Sequence, residues 1–382
     1  MQLLEYLDEK PLYYDEIDYT RMPRVYEKIK RFLSIPKIVH LIGTNGKGTT
    51  GRFLAGALNS CGFNTGHYTS PHIIEFNERI WLNGKNVSDV RLEDAHRELQ
   101  TFLEKDDADS LSYFEYTTLL SILVFKDCDY VVFEAGLGGE NDATAVFPKV
   151  LTLVTPIDID HESFLGDTIE AIAQTKLNAI QNYAIMAKQK YQEVYDVSQN
   201  ISTKKDVEIY KLEDFLSESS YKKIEQISHR LSLAPYLKDN LSLSVSALEK
   251  LKINYEVTDF NESRLFGRLS KLSENIIVDV GHNALAASAI TDTLSKDKYI
   301  IIYNSYKDKD YKKILEILKP IALHVEIIKV DDSRIESLEI MINTLNNLGI
   351  EHAMFDKVNT NKNYLVFGSF SVVEAFLREH NG

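Results

Sequence analysis

The sequence predicts an α/β fold of two domains with mostly parallel sheets, and three observations carry that prediction. Short β-branched apolar runs recur along the 382 residues, with helix-period stretches between them. The runs are mainly apolar, the mark of parallel strands covered on both faces. The chain is also long for one core, and its pattern breaks over Asn254–Arg268, through Thr258-Asp259-Phe260-Asn261 to Gly267. That break divides a larger N-terminal domain, residues 1–261, from a compact C-terminal one, residues 262–382.

Taken in order, the first strand is expected at Ile38–Ile42, and the helix-like stretch Phe53–Leu58 follows. Helices at Leu92–Leu103 and Thr117–Val124 lead to strands at Tyr130–Phe133 and Val150–Val154. A helix at Ile169–Ile180 precedes a strand at Ile185–Ala187. Residues 190–235 are polar and less periodic, and read as peripheral strands and helices; a helix at Ser242–Leu251 follows. The second domain is expected to carry strands at Ile276–Val280, Tyr299–Tyr303, Val325–Lys329 and Tyr364–Phe367, with helices at Tyr311–Leu318 and Ile335–Asn346. There is no internal repeat.

Composition excludes several classes. The chain is 44% apolar and 26% charged, as in an ordinary soluble globular protein. Lys and Arg number 43 against 57 Asp and Glu, so the net charge is 43 − 57 = −14. No Lys/Arg-dense helix interleaved with aromatics stands out, which argues against a nucleic-acid partner. The run Lys307–Lys313 includes Asp308 and Asp310 and reads as a solvated helix start. Cys61 and Cys128 cannot make a disulfide framework, and both are expected to be buried thiols in a reducing compartment. The start of the chain is too acidic for a signal peptide, and no window reaches the ~18 apolar residues of a membrane span. A cytoplasmic protein without a membrane partner is expected.

The segment from His40 to Thr50 carries the most chemistry. Gly43-Thr44-Asn45-Gly46-Lys47-Gly48-Thr49 lies between a strand and a helix. There, glycines let backbone N–H groups approach phosphates, Lys47 supplies charge and Thr49 can ligate Mg²⁺. The spacing is not that of the common P-loop, because only two residues separate Gly43 from Gly46-Lys47 and Gly48 precedes the hydroxyl residue. Glu134 ends an apolar strand ahead of Ala135-Gly136-Leu137-Gly138-Gly139, where Mg²⁺-binding acids sit in nucleotide-binding folds. Asp160-His161 lies just past another strand end, which makes His161 a ligand candidate. Lys176 falls within a helical pattern and, on sequence physics alone, reads as a surface lysine. Asp279-Val280-Gly281-His282-Asn283 ends a strand before a helix; it can face a ligand, or Asn283 can simply cap that helix.

Together these segments resemble the folylpolyglutamate synthase and dihydrofolate synthase family of the Mur ligase superfamily. The match begins with Gly43–Thr49 and continues through Tyr68-Thr69-Ser70-Pro71-His72, Phe76, Glu78-Arg79-Ile80 and Asn83-Gly84. It runs on through Tyr113-Phe114-Glu115-Tyr116-Thr117, Glu134–Gly139 and Asp142-Ala143-Thr144. Asp160-His161, Leu165-Gly166-Asp167-Thr168, Gly267-Arg268, Asp279 with His282-Asn283, and Gly368-Ser369 complete it in order. The weak stretch is about 185–238.

The resemblance implies a P-loop ATPase domain of Mur-ligase type and a smaller, Rossmann-like glutamate-ligase domain. It implies an ATP-dependent ligase, a monomer, that adds L-glutamate to dihydropteroate, to the glutamate tail of tetrahydrofolate, or to both in one bifunctional enzyme. By the same resemblance Thr44, Asn45, Gly46, Lys47, Gly48 and Thr49 hold the phosphates of ATP. Asn240, Arg268, Asp279 and His282 fall where the family contacts ATP across the domain interface. Two Mg²⁺ sites are implied, with Thr49, Ser70 and Glu134 at one and His161 at the other. The lysine matching Lys176 is carbamylated in the family and helps bind the second metal, so Lys47, Lys176 and His161 are the catalytic candidates. Ser112, Tyr113, Phe114 and Glu115, with Asn141, Asp142 and Ala143, fall at the pterin site.

The chain departs from the family pattern in places. Glu140 stands where the family has Arg, and Thr175-Lys176-Leu177-Asn178-Ala179-Ile180 replaces Glu-Lys-Ala-Gly-Ile. Asp-Gly-Ala-His-Asn-Pro becomes Asp279-Val280-Gly281-His282-Asn283-Ala284, and Tyr236-Leu237-Lys238-Asp239 replaces a His-Gln pair. The charge swap at Glu140 implies another cation near the anionic ligands. A peptidoglycan-precursor ligase of the same superfamily is the second enzyme reading, disfavoured because only 42 residues precede Gly43. A non-catalytic ATP-binding module is the third, and it does not predict Glu134, Asp160-His161 and Lys176 together.

Overall fold

A computed structural model describes residues 1–11, 18–160 and 162–380, and the side chains of these except 162 and 163. The run Lys37–Ile42 forms β1, in which Val39 and Leu41 pack under one set of helices while Ile38 and Ile42 face the other side. Such two-sided burial is what a near-continuous apolar strand requires. Thr65–Tyr68 is β2, Ile80–Leu82 β3, Lys85–Asn86 β4, Tyr130–Glu134 β5, Leu151–Val154 β6, Tyr183–Met186 β7 and Glu208–Lys211 β8. These eight strands make one sheet in the order β4-β3-β2-β5-β1-β6-β7-β8. All neighbours are parallel except the pairings of β3 with β2 and with β4.

Six further strands make a second sheet. Ser270–Ser273 is β9, Ile276–Val278 β10, Tyr299–Tyr303 β11, Ala322–Ile327 β12, His352–Met354 β13 and Tyr364–Phe367 β14. Their order is β13-β12-β11-β14-β10-β9, and only β9 runs antiparallel. The chain forms two compact units. The first holds the chain up to Ser70, Phe76–Leu233 and Leu237–Arg264; the second holds Pro71–Glu75, Ala234–Tyr236 and the described chain from Leu265. The expected α/β architecture with mostly parallel sheets is the one observed.

Each sheet is covered on both faces. In the first unit, the helices Lys47–Ser60 and Pro235–Lys250 pack Phe53, Leu54, Leu241 and Val245 on Val39, Leu41 and Val132. Helix Tyr113–Val124 brings Tyr116 and Leu120 to the opposite face with Phe133 and Phe147. In the second unit, Ala287, Ile314 and Met341 cover one face and Val373 and Phe376 the other.

Boundaries differ from the expected ones for local reasons. β10 stops at Val278 because Asp279 turns its carboxylate onto the Gly281 N–H, 2.8 Å away. The helix expected from Ile335 starts at Leu338, where the Ser337 hydroxyl caps the Ile340 N–H at 3.3 Å. The helix expected over Ser242–Leu251 begins at Pro235, seven residues earlier, because the added stretch carries Lys238, Asp239 and a buried Asn240 between Leu237 and Leu241 and so lacks a clear apolar period. Within residues 190–235 lie three helices, Gln192–Lys205, Leu212–Phe215 and Glu218–Leu231, with β8 between the first two. Both cysteines are free but half-buried rather than buried. Burial still pushes the Cys61 thiol up to about 11 and that of Cys128 to about 12. Among the described residues, no helix is long and apolar enough to cross a membrane.

Candidate active site

β1 delivers the chain at Ile42 into a turn that only glycine can make. Gly43 has φ +135°, and a Cβ there would lie 2.1 Å from the Thr155 hydroxyl oxygen. Gly46 has φ +92°, and its Cβ would meet Asn240 Oδ1 at 2.4 Å. The loop is clamped to the segment after β6. Thr44 N–H donates to Pro156 O at 2.9 Å, and the Thr44 hydroxyl and Asp158 backbone exchange hydrogen bonds at 3.1 Å. The helix Lys47–Ser60 starts there, so the unpaired N–H groups of its first turn open onto the loop. Thr49 is buried in that turn.

Three charged side chains converge on this loop. Lys47 Nζ donates to Gly43 O at 3.2 Å and to Thr44 O at 3.1 Å, and lies 3.9 Å from Glu134 Oε1. Glu134 ends β5 and is buried; its Oε2 accepts from the Thr69 hydroxyl and from Ser70 N–H at 3.3 Å. Lys176 is 4% exposed, which overturns its reading as a surface lysine. Its Nζ donates to Gly43 O at 3.0 Å, so one carbonyl serves two lysines. Burial, assisted by the charge of Lys47, lowers the Lys176 ammonium from 10.5 to about 7, while Asp160 and Asp142 pull the other way.

The glycine-rich segment after β5 closes over Lys176. A Cβ on Gly139 would lie 2.5 Å from Lys176 O, and one on Gly136 would lie 2.6 Å from the Phe114 ring. Phe114, one of the residues of the pterin assignment made on resemblance, therefore lies against Gly136 at the head of the glycine-rich segment. Other members of that assignment have hydrogen bonds of their own. Ser112 and Glu115 form the capping box of helix Tyr113–Val124, and Glu115 also pairs with Arg21 at 2.9 Å. The Tyr113 ring lies 5.2 Å from the Arg79 guanidinium. Asp142 and Ala143 are buried and Asn141 is exposed. The Asp142 carboxylate accepts the N–H groups of Leu137 at 2.8 Å and Thr144 at 2.9 Å.

Glu140 turns outward, and its carboxylate accepts from Asn178 at 2.8 Å. Glu140 and Asn178, which both stand where the chain departs from the family pattern, are thus bonded to each other. His161 lies outside the described residues. Among the described residues, no three His, Cys, Asp or Glu side chains gather as a metal site. Asn240 belongs to the first unit and packs on Gly46.

In the second unit, Asp279 is buried and accepts from Leu269 N–H and Gly281 N–H at 2.8 Å and from the Tyr236 hydroxyl at 3.1 Å. Burial raises its carboxyl, against the pull of Arg268 and these donors. Tyr236, in the stretch where a His-Gln pair was expected, is thus a partner of Asp279. Arg268 lies 5.1 Å from the Phe370 ring. His282 Nδ1 donates to Val280 O at 3.1 Å, and Asn283 caps the helix Ala284–Leu294 through Ala286 N–H at 2.9 Å. The plain capping role of Asn283 is the observed one. Sequence reading missed Thr69, whose only signal was its place beside Ser70 in the Thr-Ser-Pro-His turn.

No protein-family model matches the chain. A curated relative, the dihydrofolate synthase/folylpolyglutamate synthase of Buchnera aphidicola subsp. Baizongia pistaciae, is 31% identical over 404 residues, 97% of this chain and 92% of the relative. Among solved structures, Helicobacter pylori folylpolyglutamate synthetase is 40% identical with a TM-score of 0.80, covering 98% of this chain and 97% of that one. The bifunctional folylpolyglutamate synthase/dihydrofolate synthase of Yersinia pestis, complexed with AMPPNP and Mn ion, shares the fold at 21% identity. Its TM-score is 0.81, over 98% of this chain and 96% of its own. By its full-length match to such relatives, the chain belongs to the dihydrofolate synthase/folylpolyglutamate synthase family.

Proposed function

We propose that this chain is an ATP-dependent ligase that joins the α-amino group of L-glutamate to the carboxylate of dihydropteroate or of a reduced folate. The observation that carries the reading is the meeting of Lys47, Glu134 and Lys176 at the Gly43 turn, in a chain of this family. A carboxylate is a poor acyl donor because its oxygen leaves badly. Its attack on the γ-phosphorus of ATP breaks the bond to ADP and makes an acyl phosphate. The glutamate amine then attacks the acyl carbon, phosphate departs, and the amine proton is lost to solvent. Such transfer depends mainly on positioning and charge neutralisation.

Lys47 and the first-turn N–H groups of its helix suit the β- and γ-phosphates. The buried Glu134 carboxylate, beside the Thr49 turn, fits a divalent cation, which when bound neutralises phosphate charge; we assign Mg²⁺ there, with Ser70 alongside. His161 is assigned to a second metal, and Asn240, Arg268, Asp279 and His282 to ATP, on the family resemblance. Phe114 with Gly136–Ala143 suits the pteridine. Lys176 with its lowered ammonium is part neutral amine near pH 7, so its Nζ can attack CO₂, form an N–C bond and release one proton. The resulting carbamate replaces a cation that competes with Lys47 by an anion that favours metal.

Phosphate release, measured with ATP and L-glutamate and with dihydropteroate or tetrahydrofolate in turn, tests the reading. Turnover with at least one pteridine is expected, and Lys47→Ala should abolish it. Nucleotide binding without phosphate release with either pteridine would instead support a non-catalytic module.

A further inference from the structure

A buried chain of hydrogen bonds ties the two loops of the site together, and the ligation steps above make no use of it. His40 lies in β1, three residues ahead of Gly43, and is fully buried. Its Nε2 is 2.7 Å from the Thr144 hydroxyl oxygen. That hydroxyl donates to Asp142 Oδ1 at 2.6 Å, so it accepts from His40, and Nε2 carries the ring proton. Asp142 Oδ2 then accepts Leu137 N–H at 2.8 Å, inside the glycine-rich segment. Burial, with the nearby charge of Lys149, holds the imidazole well below its ordinary range, so it stays neutral.

The arrangement is costly. His40 Nδ1 is buried without a partner, while Ile38 and Ile42, which point to the same side of β1, are apolar. A third apolar side chain would serve the core better. What an apolar residue cannot do is donate to Thr144. β1 also pairs with β5, Leu41 opposite Glu134, so the phosphate loop and the glycine-rich segment leave adjacent strands at the same level.

We propose that His40 and Thr144 are positioning residues that fix the glycine-rich segment, and with it the acceptor carboxylate, against the phosphate loop. This rests on the reading of that segment as the pteridine side of the site. In-line transfer is sensitive to displacements of an ångström, so loss of the tie lowers kcat more than it weakens ATP binding.

Steady-state kinetics with ATP, L-glutamate and dihydropteroate (or tetrahydrofolate, if that is the pteridine turned over), together with thermal melting, test it on His40→Gln, His40→Leu, Thr144→Ser and Thr144→Val. The Gln amide reaches where imidazole Nε2 does, and Ser keeps the hydroxyl. His40→Leu and Thr144→Val should lose about tenfold or more in kcat with KM for ATP within about twofold, while Gln and Ser restore most of it. Wild-type kcat in folded His40→Leu or Thr144→Val overturns the proposal, as do Gln and Ser variants no faster than their apolar counterparts. If His40→Leu does not fold, the comparison of Thr144→Val with Thr144→Ser decides. A wild-type protein without turnover refutes the ligase reading instead.

Discussion

Burial first, and the charge of Lys47 second, explain the unusual state of Lys176, whose Nζ shares the Gly43 O acceptor with Lys47. Loss of water disfavours the buried ammonium, and the neighbouring Lys47 charge disfavours it further. The unfolded chain keeps the Lys176 proton up to about 10.5 and the folded chain only up to about 7, so between these values the unfolded state binds more protons. Stability must then rise with pH across that window. In CO₂-free buffer, wild type should gain stability relative to Lys176→Met from pH 7 toward 10.5, read by urea denaturation; parallel curves would contradict the burial. Lys176→Ala should lose most activity, and added short carboxylates should restore part of it. A fully active Lys176→Ala protein would remove the lysine from the site. None of this was legible in the helical pattern around Lys176. Its burial comes from Gly139 and Gly43, distant in sequence, and only the family resemblance pointed to it.

At the level of elements, the central strands were legible because they are covered on both faces and therefore mostly apolar, with His40 in β1 and Thr152 in β6 as the breaks. β1, β5 and β6 are of this kind. β2 was not, although it is fully buried, because its residues are Thr65, Gly66, His67 and Tyr68. Gly66 is there for contact, since a Cβ would lie 2.4 Å from the Phe125 ring. β8 and β9 are edge strands that carry exposed polar residues, and the edge strand β13 is only His352-Ala353-Met354, so no apolar run marks them. The phosphate loop was read from its glycines, and the structure supplies the reason for two of them. Gly46→Ala would strain a left-handed residue by about 1–2 kcal/mol and drive a methyl group into Asn240. Its expected outcome is a folded but less stable protein with at least tenfold weaker ATP binding by calorimetry. Unchanged affinity would separate the loop from the nucleotide.

For the molecule as a whole, composition said little beyond an acidic, ordinary globular chain of net charge −14. What identified it was order: motifs that are weak singly recur in family sequence from Gly43 to Ser369. The structure then gathered Lys47, Glu134 and Lys176, which lie 42 to 129 positions apart along the chain, around one turn. In the proposed reaction this turn activates the acceptor carboxylate as an acyl phosphate. An oxygen-transfer experiment tests it most directly, with the acceptor labelled in its carboxylate by ¹⁸O and the released phosphate read by mass spectrometry. One labelled oxygen in phosphate is expected for each amide formed. Amide formation with unlabelled phosphate would contradict it.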